Sequence, residues 1–130
     1  MRNPVIIMFA AVVAAPLLAQ AAPAPAKGDA ARGATLFIQC RACHTVTKGG
    51  AHNVGPNLWA VTGAPAAGKT GYAYSPAMKA SGLTWDAATL DAFLARPVGQ
   101  VPGNKMAFGG MSNPQARRDL IAYLATLKGK

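Results

Sequence analysis

Apolar positions in this chain recur at helical spacing, and the helical stretches are separated by long segments rich in glycine and proline. The clearest pattern is the last one. Leu120, Ile121, Leu124 and Leu127 fall at i, i+1, i+4 and i+7 ahead of Gly129, with Asn113 as the N-cap and Pro114 at the first helical position. Upstream, Asp29 caps a helix that reaches about Cys40 and turns Gly33, Phe37 and Ile38 inward. A glycine on that face predicts close approach of a second helix. Ser75-Pro76 opens a short helix that stops at Gly82, and Thr84 caps a third that ends before Pro97, with Trp85, Leu90, Phe93 and Leu94 as its apolar residues. No alternating run bounded by turn signals predicts a strand, and no internal repeat is visible. The expectation is an all-α domain of about four to five helices. Its loops over 46–70 and 97–111 are long for so small a chain, and long ordered loops tend to carry function.

The amino terminus has a different character. Arg2 supplies a positive start, residues 5–18 are apolar apart from Pro16, and Ala19-Gln20-Ala21 is a small-x-small cleavage site. Residues 1–21 therefore read as an export signal. The run is shorter than the roughly 20 apolar residues that a membrane-spanning helix needs. An extended leader over 22–27 follows, then a single domain over 28–130. The chain carries 13 Lys and Arg against 4 Asp and Glu, a net charge of +9 that loses only Arg2 with the signal. A basic surface favours acidic partners. Nucleic acid is not expected: the chain is exported, and its cations are scattered without the interleaved aromatics that single-strand binders use.

The chemistry is concentrated in Cys40-Arg41-Ala42-Cys43-His44, a Cys-x-x-Cys-His motif. This spacing is the attachment signature of a c-type haem: two thiols add across the vinyl groups and the next residue offers an imidazole to iron. Three other readings compete. A thioredoxin-like pair belongs at a helix start after a strand, within alternating strands and helices that are absent here. A zinc site needs four ligands, and His52 is the only Cys or His left. A plain disulfide leaves His44 unexplained. Haem attachment accounts for all three side chains, and it gives the long loops a flat cofactor to close over.

Several further blocks follow one another in a fixed order. They are Gly28-Asp29 with Gly33 and Phe37, Gly55-Pro56-Asn57-Leu58, Tyr72-x-Tyr74-Ser75, Gly82-x-x-Trp85, Thr89-Leu90 and Pro97. Then come Pro102-Gly103-Asn104-Lys105-Met106-x-Phe108 and Arg117-Arg118-Asp119-Leu120-Ile121-Ala122-Tyr123-Leu124. Over about residues 28–127 the chain thereby resembles the class I c-type cytochromes, the short group that includes mitochondrial cytochrome c and its bacterial relatives. The resemblance implies a small cytochrome c fold wrapped around one covalent haem c, with His44 and Met106 as iron ligands. Met78 and Met111 compete with Met106, but only Met106 follows the Pro-Gly turn and precedes a bulky aromatic. A thioether opposite histidine stabilises ferrous iron. The carbonyl of Pro56 is the implied acceptor for the remaining ring N–H of His44. Tyr74 and Trp85 are the implied donors to a haem propionate, Phe108 covers the haem edge, and Asn104 is a further contact in the Met loop. His52 is expected to brace its loop.

The chain also departs from that family. Ala64 stands where many relatives carry an arginine near a propionate, and Phe93 where many carry a tyrosine near the Met sulfur. Both losses favour Fe(III), unless another cation fills the vacant side, with Lys69 the nearest in sequence. Ala51, Asn53, Val98 and Gly99 replace lysines of the haem rim, which leaves Arg41, Lys48 and Lys105 as the cations for docking. The resemblance implies a monomeric, periplasmic one-electron carrier rather than an enzyme. Its donors would be a quinol:cytochrome c oxidoreductase or a dehydrogenase, and its acceptors a terminal oxidase, a peroxidase or a photosynthetic reaction centre. The alternative is a haem enzyme or gas sensor in which Met106 dissociates; the missing hydroxyl at Phe93 favours it, whereas the complete Met loop and the lack of a distal acid or base oppose it.

Overall fold

The computed structural model describes residues 26–128; the expected export signal, most of the leader and Gly129 lie outside them. Five helices follow one another: α1 (Ala30–Leu36), continued by a 3₁₀ turn over Phe37–Cys40, α2 (Pro76–Ala80), α3 (Ala87–Ala95), α4 (Pro97–Gln100) and α5 (Pro114–Thr126). There is no strand among the described residues, only an isolated antiparallel bridge between Pro65 and Thr84. No helix among them is long and apolar enough to cross a membrane.

Side-chain caps set most helix starts. The Asp29 carboxylate accepts from the N–H groups of Ala31 and Arg32, Ser75 accepts from Met78, and Asn113 accepts from Gln115 and Ala116. Each such cap contributes about 1 kcal/mol. The third start differs from expectation. Asp86, not Thr84, caps α3 by accepting the N–H of Thr89 at 2.8 Å. Thr84 is occupied in the bridge with Pro65, and the N–H of Trp85 donates to Ala64, so Trp85 precedes the helix instead of lying on it. Ile38 is also misplaced by the helical pattern. Tightening to 3₁₀ geometry after Leu36 buries Phe37 to 1% exposure and leaves Ile38 64% exposed. The short α4, which the sequence pattern does not signal, starts at Pro97 after Arg96 breaks the path of α3.

The joint between α1 and α5 is built on close backbone approach. A Cβ at Gly33 would lie 2.0 Å from the Asp119 carbonyl oxygen, and one at Gly28 would lie 2.1 Å from that of Arg118. Only glycine lets the helices meet there. Phe37 packs beside Tyr123 with ring centroids 5.3 Å apart. The buried Asp119 carboxylate accepts from the Asp29 N–H at 2.7 Å, from Arg32 Nε at 2.8 Å and from Gln115 at 2.8 Å, which ties the start of α1 to the middle of α5. Arg117 joins α5 to α3 through Asp91 and also donates to the carbonyls of Met111 and Ser112, anchoring the far end of the 97–111 loop. With α1, α3 and α5 so joined, Phe37, Leu90, Phe93, Leu120 and Leu124 form a buried core whose inner side is a cavity wall.

Candidate haem site

The cavity, of about 330 Å³, is lined mainly by apolar side chains and reached by polar groups from three loops. The 3₁₀ turn delivers the first of them. After Cys40 the chain winds tightly, with the N–H groups of Cys43 and His44 both donating to the Cys40 carbonyl at 3.1 and 2.9 Å. That turn brings Cys40, Cys43 and His44 to one wall. No disulfide joins Cys40 and Cys43. Burial, and then the neighbouring Cys43, pushes the Cys40 thiol pKa up.

His44 is held from two directions. Its Nδ1 donates to the Pro56 carbonyl at 2.7 Å, so the ring N–H has the acceptor expected for it. Burial lowers the imidazole pKa and the Pro56 bond partly opposes that shift, so near neutral pH the ring is uncharged and Nε2 keeps a free lone pair. On the other flank Gly55 presses against the imidazole: a Cβ there would sit 2.4 Å from Cε1. Gly55 in turn donates its N–H to the Cys43 carbonyl at 2.7 Å. The buried Asn57 fixes this loop, donating to Thr45 Oγ1 at 2.8 Å and the Thr47 carbonyl at 2.9 Å while accepting from the Trp59 N–H. His52 is a brace: Nδ1 accepts the Asn57 N–H at 3.0 Å and Nε2 donates to the Thr70 carbonyl at 2.9 Å. That commitment removes it from any zinc set, and no group of three or more His, Cys, Asp or Glu able to hold a metal occurs among the described residues.

Of the three candidate methionines, Met106 and Met78 line the cavity, whereas Met111 is buried outside its wall. Met78 is fixed in α2. Met106 sits in a loop shaped by Asn104, whose side chain accepts the Met106 N–H at 2.9 Å and donates to the Val101 carbonyl at 2.8 Å. Phe108, Phe93, Tyr74 and Trp85 share the wall, Phe93 packing on Trp85 at 4.9 Å between centroids. The Tyr74 hydroxyl accepts the Lys69 N–H at 3.4 Å.

Two thiols, an imidazole, thioethers and an apolar wall are a donor set that fits an iron porphyrin, and Pro56 and Gly55 hold the imidazole from two sides. A family profile described as cytochrome c matches residues 30–128. The chain belongs to the cytochrome c family. It is 49% identical to cytochrome c2 of Rhodomicrobium vannielii over 113 residues, 87% of this chain and 90% of the relative. It is 47% identical to cytochrome c of Chlamydomonas reinhardtii over 104 residues, 79% and 92% of the two chains. Among solved structures it is similar to cytochrome cH from Methylobacterium extorquens, with a TM-score of 0.72, 52% identity and coverage of 76% of this chain and 99% of that one. Membership identifies the cofactor as a covalent haem c and the protein as an electron carrier rather than an enzyme; the helical fold is that of the small cytochromes c.

The roles of Gly55 and Asn57 depend on what they touch, which no local sequence pattern states. Their place on either side of Pro56, within the long loop that follows His44, is the available signal.

Proposed function

We propose that Cys40 and Cys43 carry the haem through thioethers, that His44 and Met106 ligate its iron, and that the protein shuttles single electrons in the periplasm. When bound, the haem supplies the one-electron couple between Fe(II) and Fe(III). The observation that carries this reading is the 2.7 Å bond from His44 Nδ1 to Pro56, which leaves Nε2 as the ring's donor atom in the cavity that Met106 also lines. The chain's own residues do the rest. Gly55 and Pro56 hold the imidazole in one tautomer and one place, Asn104 orders the Met106 loop, and the apolar wall excludes water. A site whose ligands are both fixed needs little rearrangement when the electron arrives, which suits transfer rather than substrate turnover.

The apolar run after Arg2 and the Ala19-Gln20-Ala21 site support export. Partners would be a quinol:cytochrome c oxidoreductase or dehydrogenase as donor and an oxidase, peroxidase or reaction centre as acceptor, docking transiently on exposed Arg41, Lys48 and Lys105. Spectroscopy on the holoprotein tests the ligand set. The haem should stay attached through acid–acetone extraction, and the ferric protein should show the weak far-red band of iron–sulfur ligation. Met106→Ala should abolish that band, while Met78→Ala and Met111→Ala retain it. A band that survives Met106→Ala and vanishes in either other variant assigns the sixth ligand elsewhere.

A further inference from the structure

Two lysines contribute to the lining of the haem cavity, and the structure treats their ammonium groups differently. Lys105 is exposed, and its chain folds back so that the ammonium donates to the Ala73 carbonyl and lies 4.8 Å from the Tyr72 ring centroid. Lys69 is half-buried, and its ammonium donates to a neutral group, the Trp59 carbonyl. No Asp or Glu side chain among the described residues compensates it. The chain has only four, and Asp29 and Asp86 cap helices while Asp91 and Asp119 pair with Arg117 and Arg32. A charge taken part-way out of water without a counter-charge is costly, so an anion that enters this cavity finds a cation with no competing counter-charge.

The neighbourhood of Lys69 has the matching polarity. Its backbone N–H donates to the Tyr74 hydroxyl, which therefore still has its own proton to give into the cavity wall. Trp85, with an indole N–H, lies on the same wall. A turn closed by the Gly68 N–H on the Pro65 carbonyl precedes Lys69, and Ala64, at the other end of the same segment, lines the cavity without a polar atom in its side chain. The anions a haem brings into a protein are its two propionate carboxylates. We infer that Lys69 pairs with one of them and is a tuning residue for the haem potential. The inference rests on haem occupying this cavity with the ligands proposed above. A fixed cation beside the propionate opposes the extra positive charge of Fe(III), so Lys69 favours Fe(II).

Protein-film voltammetry on the holoprotein tests this, with the far-red band recorded for every variant. Lys69→Gln should shift the Fe(III)/Fe(II) equilibrium about tenfold toward Fe(III), a fall of about 59 mV for one electron. Lys69→Arg should restore most of that fall, and Lys79→Gln, an exposed lysine on α2 away from the cavity, should move the potential far less. Ala64→Arg supplies a second probe: it should raise the potential strongly in the Lys69→Gln background and weakly in the unmodified protein. Equal Ala64→Arg shifts in both backgrounds, or a Lys69→Gln shift no larger than that of Lys79→Gln, would overturn the inference. Absence of the far-red band from the unmodified protein would instead reject the ligand assignment, so the two failures are separable.

Discussion

Gly55→Ala is the sharpest test of how His44 is positioned. An alanine Cβ at this site would lie 2.4 Å from Cε1, 2.7 Å from Nδ1 and 2.8 Å from Nε2 of the imidazole. Carbon atoms pack best at about 3.5–4.0 Å, so the ring or the loop must retreat by about 1 Å. The ring is not free to do so, because Nδ1 is bonded to Pro56 at 2.7 Å. A 1 Å displacement takes that bond beyond the roughly 3.2 Å at which an N–H···O contact is still effective. Overpacking costs about 1–3 kcal/mol and the lost hydrogen bond about 1 kcal/mol more, so the expected loss is about 2–4 kcal/mol. For a domain of this size each kcal/mol corresponds to a melting shift of about 4–8 °C. Loss of the Pro56 acceptor also makes the imidazole a poorer donor, which favours Fe(II) and raises the potential.

Gly109→Ala is the control. A Cβ there meets nothing within 4 Å and the residue has no positive φ, so its effect should stay within about 0.5 kcal/mol. Melting of the holoprotein followed at the haem absorbance, together with voltammetry, separates the two variants. If Gly55→Ala melts with Gly109→Ala and keeps the unmodified potential, the loop yields without cost and the close fit does not hold the histidine.

Three further outcomes are expected. Arg32, with the Asp29 N–H next, holds the Asp119 carboxyl well below the usual carboxylate range, so the folded state binds this proton less readily than the unfolded chain. That stabilisation is fully present above about pH 4 and is lost as pH falls from there through the folded pKa. Melting curves of the unmodified protein and Asp119→Asn should therefore converge on acidification from pH 6, and a constant gap down to pH 2 would rule the linkage out. Phe93 is buried on the cavity wall, so Phe93→Tyr places a hydroxyl inside it; the potential should rise by tens of millivolts, where about 59 mV is a tenfold change, and a clear fall in voltammetry would contradict the argument. Electron transfer to an acidic partner should slow with salt, because charges beyond about 8 Å are mostly screened at 0.15 M. The slope should be shallower than for a lysine-ringed relative, and an equal slope in stopped-flow measurements would mean a different docking face.

What could be foreseen depended on range. Asp29, Ser75-Pro76 and Asn113-Pro114 act on N–H groups two or three residues away, so their helix starts were legible, whereas the turn that carries Cys40, Cys43 and His44 lies beyond the helix expected to end at about Cys40. Thr84 and Asp86 are both sound caps by composition. The choice was made by a partner nearly twenty residues away, because pairing with Pro65 takes Thr84 out of contention. Ile38 follows Phe37 in an unbroken apolar stretch, and nothing local marks the change from α to 3₁₀ winding that sends it outward. Asn57 and Lys69 act by joining loops, to Thr47 and to Trp59, and loop-to-loop contacts leave no periodic trace.

The placement of acid in this chain bears on both the docking surface and the haem. All four carboxylates are engaged where helices begin or join: Asp29 and Asp119 between α1 and α5, Asp86 at the start of α3, and Asp91 between α3 and α5. None lines the cavity. The lining therefore includes two lysines and no carboxylate, a charge balance that, with Lys69 acting as inferred above, opposes the additional charge of Fe(III). The same economy shapes the outside, since Arg32 and Arg117 are neutralised at the helix joints while Arg41, Lys48 and Lys105 remain outside every ion pair among the described residues. Helix joints that engage the acid thus leave Arg41, Lys48 and Lys105 without ion-pair partners among the described residues, and the charge available to meet an acidic partner is set as much by where the four aspartates sit as by the number of lysines.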